Sequence, residues 1–391
     1  MHETISALNT SGSPSMKTLY IISKGMNKVA EEDMKMLEEN NKIPRASLLE
    51  DAIFAKLLDE RYLQDKTPPL RKLLYRFMPT NVSQIIEALL IMRHYDVILS
   101  HSEKVGLPLA LLMKYLKITK PHVIIISRIT SVNESKSRQK RWFLKQTKDT
   151  ISKFIIWSSI QRKIAIEELG IAPDKMILVK RGTDQEFWKP LNRKTDTICS
   201  VGMEARDYPT LVDALRPLHI PCHIASGLSR GQVFKTVTKL LNIKNLPDFI
   251  TVGKKDSADL RELYARSRFV VVPLLPTDSD NGLTTILESM AMGKTVICSR
   301  ADGQIDVIQE GITGIFVPQG DVEALQKALL DLWNNPEKCK KMGAAAREYI
   351  EKNHSLEQFV HHIQTEMEAT VREFSGQKEK NQQRVEAKFI I

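Results

Sequence analysis

Residues 276–284 read Pro276-Thr-Asp-Ser-Asp280-Asn281-Gly282-Leu283-Thr284, a small polar loop between the apolar run Phe269–Pro273 and a helical pattern that carries Glu288. The amides at the start of that helix lack intrahelical partners. With the helix dipole behind them they would stabilise an anion such as a diphosphate. Gly282 lets the ligand approach the backbone closely. Glu288 lies four residues after Thr284, one turn into the helix, where its carboxylate can accept hydrogen bonds from paired ribose hydroxyls. Asp280, eight residues before Glu288, is placed in the loop to meet hydroxyls of a second, transferred sugar. The plainer reading makes Asp280 a turn residue and Glu288 an ordinary first-turn acid. The small polar loop and glycine beside them favour the ligand.

Elements must hold that loop in place, and the sequence alternates strand and helix patterns throughout. Strand patterns at Thr18–Ile22, Asp96–Ser100, His122–Ser127, Phe154–Ser158 and Asp174–Arg181 alternate with helix-length segments, among them Val29–Asn40 and Leu107–Leu116. Strands so separated pair in parallel, because a crossover returns the chain to the same edge. A second set follows, with strands at Thr197–Val201, Cys222–Ala225, Asp248–Val252, Phe269–Pro273 and Thr295–Ser299, another ending at Pro318, and helical periodicity from Val322 to about Arg372. The chain therefore divides into a tail at 1–16, a Rossmann-like domain at 17–183, a linker at 184–196 and a second Rossmann-like domain at 197–355. A helix at 356–375, a candidate for crossing back to the first domain, and a polar tail at 376–391 complete it. Two doubly wound α/β domains face each other across a cleft, and ligands bind beyond the carboxyl ends of such strands.

Composition narrows the chemistry. A chain of 391 residues, 42% hydrophobic, has the length for two cores and the make-up of a soluble globular protein. Cys199, Cys222, Cys298 and Cys339 are far apart with no Cys-x-x-Cys pair, which argues against a zinc site or a disulfide framework. No metal is expected. No signal-like segment opens the sequence and its apolar runs are short of a bilayer, so a cytoplasmic, reduced protein is expected. A nicotinamide oxidoreductase is disfavoured, because no Gly-x-Gly-x-x-Gly turn follows Thr18–Ile22.

The C-terminal half resembles the retaining glycosyltransferases of family 4, which have the GT-B fold. The resemblance rests on Asp280-Asn-Gly-Leu-Thr-Thr-Ile-Leu-Glu288, on Gly293-Lys294-Thr-Val-Ile297, on Ala301–Asp306, and on Glu310-Gly-Ile-Thr-Gly314 through Asp321. It implies a nucleotide-sugar site in which Asn281, Gly282, Leu283, Thr284 and Glu288 bind the donor and Asp280 acts on its sugar. Upstream, Ser200-Val-Gly202-Met203-Glu-Ala-Arg206 is similar to the family's first strand and turn, where two basic residues clamp the diphosphate. Gly202 and Arg206 match it, whereas Met203 stands at the first basic position. Lys254, or its neighbour Lys255, is the candidate replacement, with a solvated loop lysine as the alternative. Asp280 replaces the family's first Glu. In the N-terminal half Gly25 matches the glycine-containing loop after the first strand. Family members commonly place a His at a strand end near the sugar, whereas the strand from His122 ends in Ser127-Arg128, so His101 is the alternative polar group, with a loop histidine as the plainer reading.

The resemblance implies a hexosyl transfer that retains anomeric configuration, from a nucleotide diphosphate sugar with UDP ahead of GDP, without a metal, a resident cofactor or a protein nucleophile. Arg206 would stabilise the leaving diphosphate. The alternatives are a GT-B protein that binds a nucleotide sugar without efficient transfer, or a phosphorylase or epimerase of that fold. The net charge of +10 points to anionic partners, and basic residues cluster beside apolar ones at 136–153 and at 71–77. Either segment suits a helix lying on an anionic membrane, which makes a glycan, a lipid-linked molecule or a small molecule the candidate acceptor. The alternative is an ordinary amphipathic helix with its apolar side packed inward. Neither segment belongs to a nucleic-acid-binding module.

Overall fold

The computed structural model describes residues 16–22, 31–126, 137–226, 243, 245–277, 280–301 and 304–388. The N-terminal domain runs β1 (Thr18–Ile21), α1 (Glu31–Glu39), α2 (Ser47–Ala52), β2 (Ala55–Leu58), α3 (Glu60–Asp65), α4 (Pro69–Tyr75) and α5 (Thr80–Ile91). It continues through β3 (Val97–Ser100), α6 (Glu103–Tyr115), β4 (His122–Ile125), α7 (Ser137–Thr147), β5 (Lys153–Ile156), α8 (Ser159–Glu167) and β6 (Met176–Leu178). The C-terminal domain has β7 (Thr197–Val201), α9 (Tyr208–Leu215), β8 (Cys222–Ala225), β9 (Ile250–Val252), α10 (Ser257–Arg266), β10 (Ser267–Val272) and α11 (Leu283–Ala291). It closes with β11 (Thr295–Ser299), β12 (Gly314–Val317), α12 (Val322–Asn334), α13 (Pro336–Asn353) and α14 (Leu356–Lys388).

Both sheets are six-stranded and parallel, ordered β2-β1-β3-β4-β5-β6 and β12-β11-β10-β7-β8-β9. Helices cover both faces, so the strands are apolar runs buried along their length, as in β4 and β11. In each sheet the first strand has later strands on both sides, β2 and β3 around β1 and β8 and β10 around β7. The order reverses there, opening a crevice at the carboxyl ends of the strands.

After α13 the chain leaves the second domain. Val360, Ile363 and Met367 of α14 are buried against Tyr20, Leu99 and Ile125 of the first sheet, contributing roughly 2 kcal/mol each. The helix extends to Lys388, beyond the boundary at 375 drawn from sequence. Its last turns are rich in Gln, Lys, Glu and Arg, good helix formers without apolar periodicity, which is why polarity resembled a tail. The linker is tied down at the same place. Arg45 Nε and its backbone N–H donate to the two oxygens of Asp184 at 3.0 and 2.8 Å, and its guanidinium also pairs with Glu357 at 2.9 Å. All four cysteines are buried thiols. Among the described residues no helix is long and apolar enough to cross a membrane.

Candidate functional site

The second switch point is built from the loops that follow β7 and β10. Gly202 leaves β7 with φ +118°, and a Cβ there would land on the Arg206 guanidinium, so glycine is required by conformation and by space. Ala205 also takes a left-handed φ of +51°, which costs about 1 kcal/mol and turns the chain so that Arg206 bridges to Leu274 beyond β10. Asp207 N–H donates to Pro273 O at 3.0 Å and Leu275 N–H to Ala205 O at 2.9 Å, fastening the two loops together.

Arg206 points inward and is 4% exposed. Its Nε donates to Val201 O at 2.9 Å, Nη1 to Glu204 O at 2.9 Å and Nη2 to Thr285 Oγ1 at 3.2 Å. Burial pushes its pKa down. Among the described residues no carboxylate pairs with it. Three of its five N–H donors are committed to protein oxygens, and the rest of its charge lies against the amino end of α11. Gly282 caps that helix with φ +94° and no side-chain bond, so the helix presents its amino end without an acidic cap. Two positive potentials therefore converge, and among the described residues no carboxylate forms an ion pair with the guanidinium.

One turn along α11, Glu288 is half-buried and its Oε2 accepts a hydrogen bond from the buried Tyr264 Oη at 3.0 Å. Burial raises its pKa to about 7, against the Tyr264 hydrogen bond and the nearby Arg181, which lower it. Asn281 is braced by its Nδ2 on Thr277 Oγ1 at 2.9 Å and by Gln304 Nε2, which donates to its carbonyl. Asp280 shares the half-buried loop, and its carbonyl accepts from Leu283 N–H at 3.1 Å. The Leu283 side chain is part of the core, leaving only backbone to face a ligand, whereas Thr284 is exposed.

Gly202, Arg206, Asn281, Gly282, Leu283, Thr284 and Glu288 thus lie on two adjoining loops and the first turns of α11. Lys254 does not join them: it is exposed after the edge strand β9, two strands from β7. Gly25 lies outside the described residues, as do Ser127 and Arg128. His101 belongs to the other sheet, just beyond β3, where its Nδ1 and Tyr20 Oη are hydrogen-bonded at 2.5 Å. His122 opens β4 at the far end of the sheet, bonded to Ser100 Oγ at 2.9 Å, with burial pushing its pKa down to about 3.

Sequence reasoning passed over Tyr264 and a contact between the domains. The backbone N–H and hydroxyl of Ser159, at the start of α8, both donate to the Asp306 carboxylate at 2.8 Å, a favourable place for an anion. No residue spacing announces these partners, because each is made by tertiary packing between segments remote in sequence.

Residues 210–349 match the family model of the glycosyl transferases group 1. The uncharacterized glycosyltransferase MJ1178 of Methanocaldococcus jannaschii is 22% identical over 237 residues, 60% of this chain and 65% of that relative. The chain spans less than half the length of the other curated relatives it matches, among them the N-acetyl-alpha-D-glucosaminyl L-malate synthase of Bacillus anthracis at 29% identity over 34% of each chain. Among solved structures, the sucrose-phosphate synthase of Thermosynechococcus elongatus superposes with a TM-score of 0.70 at 16% identity, covering 92% of this chain and 99% of that one. Anabaena Alr3699/HepE in complex with UDP and glucose gives 0.67 at 16% identity over 90% and 99%. The chain therefore has the GT-B fold, and its C-terminal domain carries the sequence pattern of the group 1 glycosyl transferases.

Proposed function

We propose that the protein is a retaining glycosyltransferase that takes a hexosyl group from a nucleoside diphosphate sugar. The observation that carries this reading is the buried Arg206 guanidinium, with no carboxylate in an ion pair among the described residues, packed at the glycine-capped amino end of α11 with Glu288 one turn further on. The diphosphate lies across the α11 amides over Arg206, and the ribose hydroxyls donate to Glu288. UDP is the nucleotide favoured, with support from a structural neighbour that holds UDP and glucose. As the anomeric C–O bond breaks, charge grows on the departing diphosphate and is met by Arg206 and the helix end. The acceptor oxygen bonds to the same face of the sugar while its proton passes to the leaving phosphate. Asp280 positions sugar hydroxyls, and the reaction proceeds without a metal because the site supplies its own positive charge.

Transfer and donor hydrolysis are expected to vanish in Glu288→Ala and Arg206→Ala proteins whose circular dichroism is that of the parent. Undiminished turnover in both would remove the site assignment. One observation favours a second reading, binding without efficient transfer: Met203 stands where a basic residue would help Arg206, and most of the Arg206 donors are already used. Nucleotide binding without product across a broad acceptor panel would select that reading.

A further inference from the structure

Helix α4 is turned inside out. Leu70, Leu73, Leu74 and Phe77 fall at i, i+3, i+4 and i+7, the spacing of a stripe that normally faces a core. Here they are 81, 58, 49 and 80% exposed. The inward face is polar. Tyr75 Oη donates to Glu87 Oε2 at 2.9 Å and Arg71 Nη1 pairs with the same oxygen at 3.2 Å, while Glu87 itself is fully buried in α5. Rolling the leucines inward would strip both partners from a buried carboxylate, so the helix is locked with its apolar side out. Helix α7, the other basic and apolar segment, turns Leu144, 1% exposed, and Phe143 to the core and leaves Trp142 alone 51% exposed among its described large apolar side chains.

The bare stripe is rimmed by cations. Lys66, Lys72 and Arg76 are exposed, and no Asp or Glu occurs between Lys66 and Ile86. Soluble monomers rarely leave a contiguous apolar patch of this kind uncovered, and its charge selects the partner. We infer that α4 and Phe77 dock the protein on an anionic lipid bilayer, with the stripe in the acyl boundary and Lys66, Lys72 and Arg76 at the headgroup phosphates. A second copy of the chain fits less well. Pairing the stripe with itself would bring Lys72 and Arg76 against like charges, and a two-turn helix offers less than the ~800 Å² per partner of a stable interface.

The patch also borders the proposed acceptor side. Gln84, seven residues beyond Phe77, donates from Nε2 to Ile22 O at 3.0 Å and Leu58 O at 2.8 Å, at the carboxyl ends of β1 and β2. A bilayer held by α4 would therefore bring lipid-linked acceptors to the crevice of the N-terminal domain. That last step rests on the glycosyltransferase reading, whereas the docking does not.

The test is co-sedimentation of the full chain with vesicles of phosphatidylcholine alone and of phosphatidylcholine with phosphatidylglycerol, at low and physiological salt. Binding is expected only to the anionic vesicles and weaker in salt. Leu73→Ser with Phe77→Ser should lower partitioning about tenfold or more, and Lys72→Glu with Arg76→Glu should abolish the preference for anionic lipid. These side chains are exposed, so melting temperature and its rise with UDP should match the parent. Absence of anionic-vesicle binding by the parent, unchanged binding by the serine variant, or a serine variant altered only in self-association would each overturn the docking. Loss of the UDP response in every protein would instead count against the donor site.

Discussion

The two sheets end in crevices of the same topology, but the polar groups there are disposed of in opposite ways. In the N-terminal domain several of those described are bonded to one another or to backbone. His101 is bonded to Tyr20, Gln84 closes the ends of β1 and β2, and Ser102 and Ser158 cap α6 and α8, each accepting from a backbone N–H two or three residues on. In the C-terminal domain a buried guanidinium has no carboxylate in an ion pair among the described residues, Gly282 caps α11 without a side-chain bond, and Glu288 has its pKa raised to about 7. Groups that complete one another position the fold. On the proposed reading, the guanidinium and helix end receive negative charge from a ligand and Glu288 receives its hydroxyl donors.

Substitutions should separate the two crevices. Arg206→Ala should have the largest effect, roughly 3 kcal/mol of stability, because it strands Val201 O and Glu204 O, together with loss of nucleoside diphosphate binding; denaturant titration and calorimetry check both. Gly202→Ala should follow at about 2 kcal/mol, with the guanidinium displaced by the new Cβ and diphosphate binding weakened, read from the same two measurements. Glu288→Gln should weaken nucleoside binding about tenfold and reduce its pH dependence. His101→Ala should leave donor affinity unchanged within about twofold while lowering transfer, since it sits just beyond β3 in the other sheet, bonded to the buried Tyr20. Equal loss of donor binding in His101→Ala and Glu288→Gln would erase the distinction between the crevices.

The pH effect has a definite sign. The Glu288 pKa is raised from 4.5 to about 7, so the folded protein holds this proton more tightly than the unfolded chain. Its contribution to stability is complete below about pH 4.5 and disappears as pH rises through about 7. On the proposed reading the ribose hydroxyls donate more strongly to the ionised carboxylate, so nucleoside affinity should rise from pH 6 to 8, by at most about tenfold per unit below the pKa.

Much of this second crevice was legible in the sequence because it is local. Strands Thr197–Val201, Cys222–Ala225 and Thr295–Ser299 fall where their apolar runs lie, and the loop from Pro276 to Thr284 announces itself by composition. What stayed hidden is pairing between distant segments. Arg206 reads as an exposed phosphate clamp until Val201 O, Glu204 O and Thr285 are seen around it. Tyr264 on Glu288 and Asp306 on Ser159 have no local pattern at all. The four-residue β2 and the inverted α4 were obscured for a related reason, because a short Ala-Lys-Leu-Leu segment lacks periodicity and an apolar helical stripe normally signals burial.

The central claim is that the crevice beside Arg206 and α11 binds a nucleoside diphosphate through an ionised Glu288. Isothermal titration of UDP into the parent and into Glu288→Gln, at pH 6, 7 and 8, tests it directly. The parent should gain affinity from pH 6 to 8, and the variant should bind weakly and gain only the smaller part that comes from ionisation of the terminal phosphate of UDP itself. Binding that is the same in both proteins at every pH, or no heat with UDP or GDP at any pH, would contradict it.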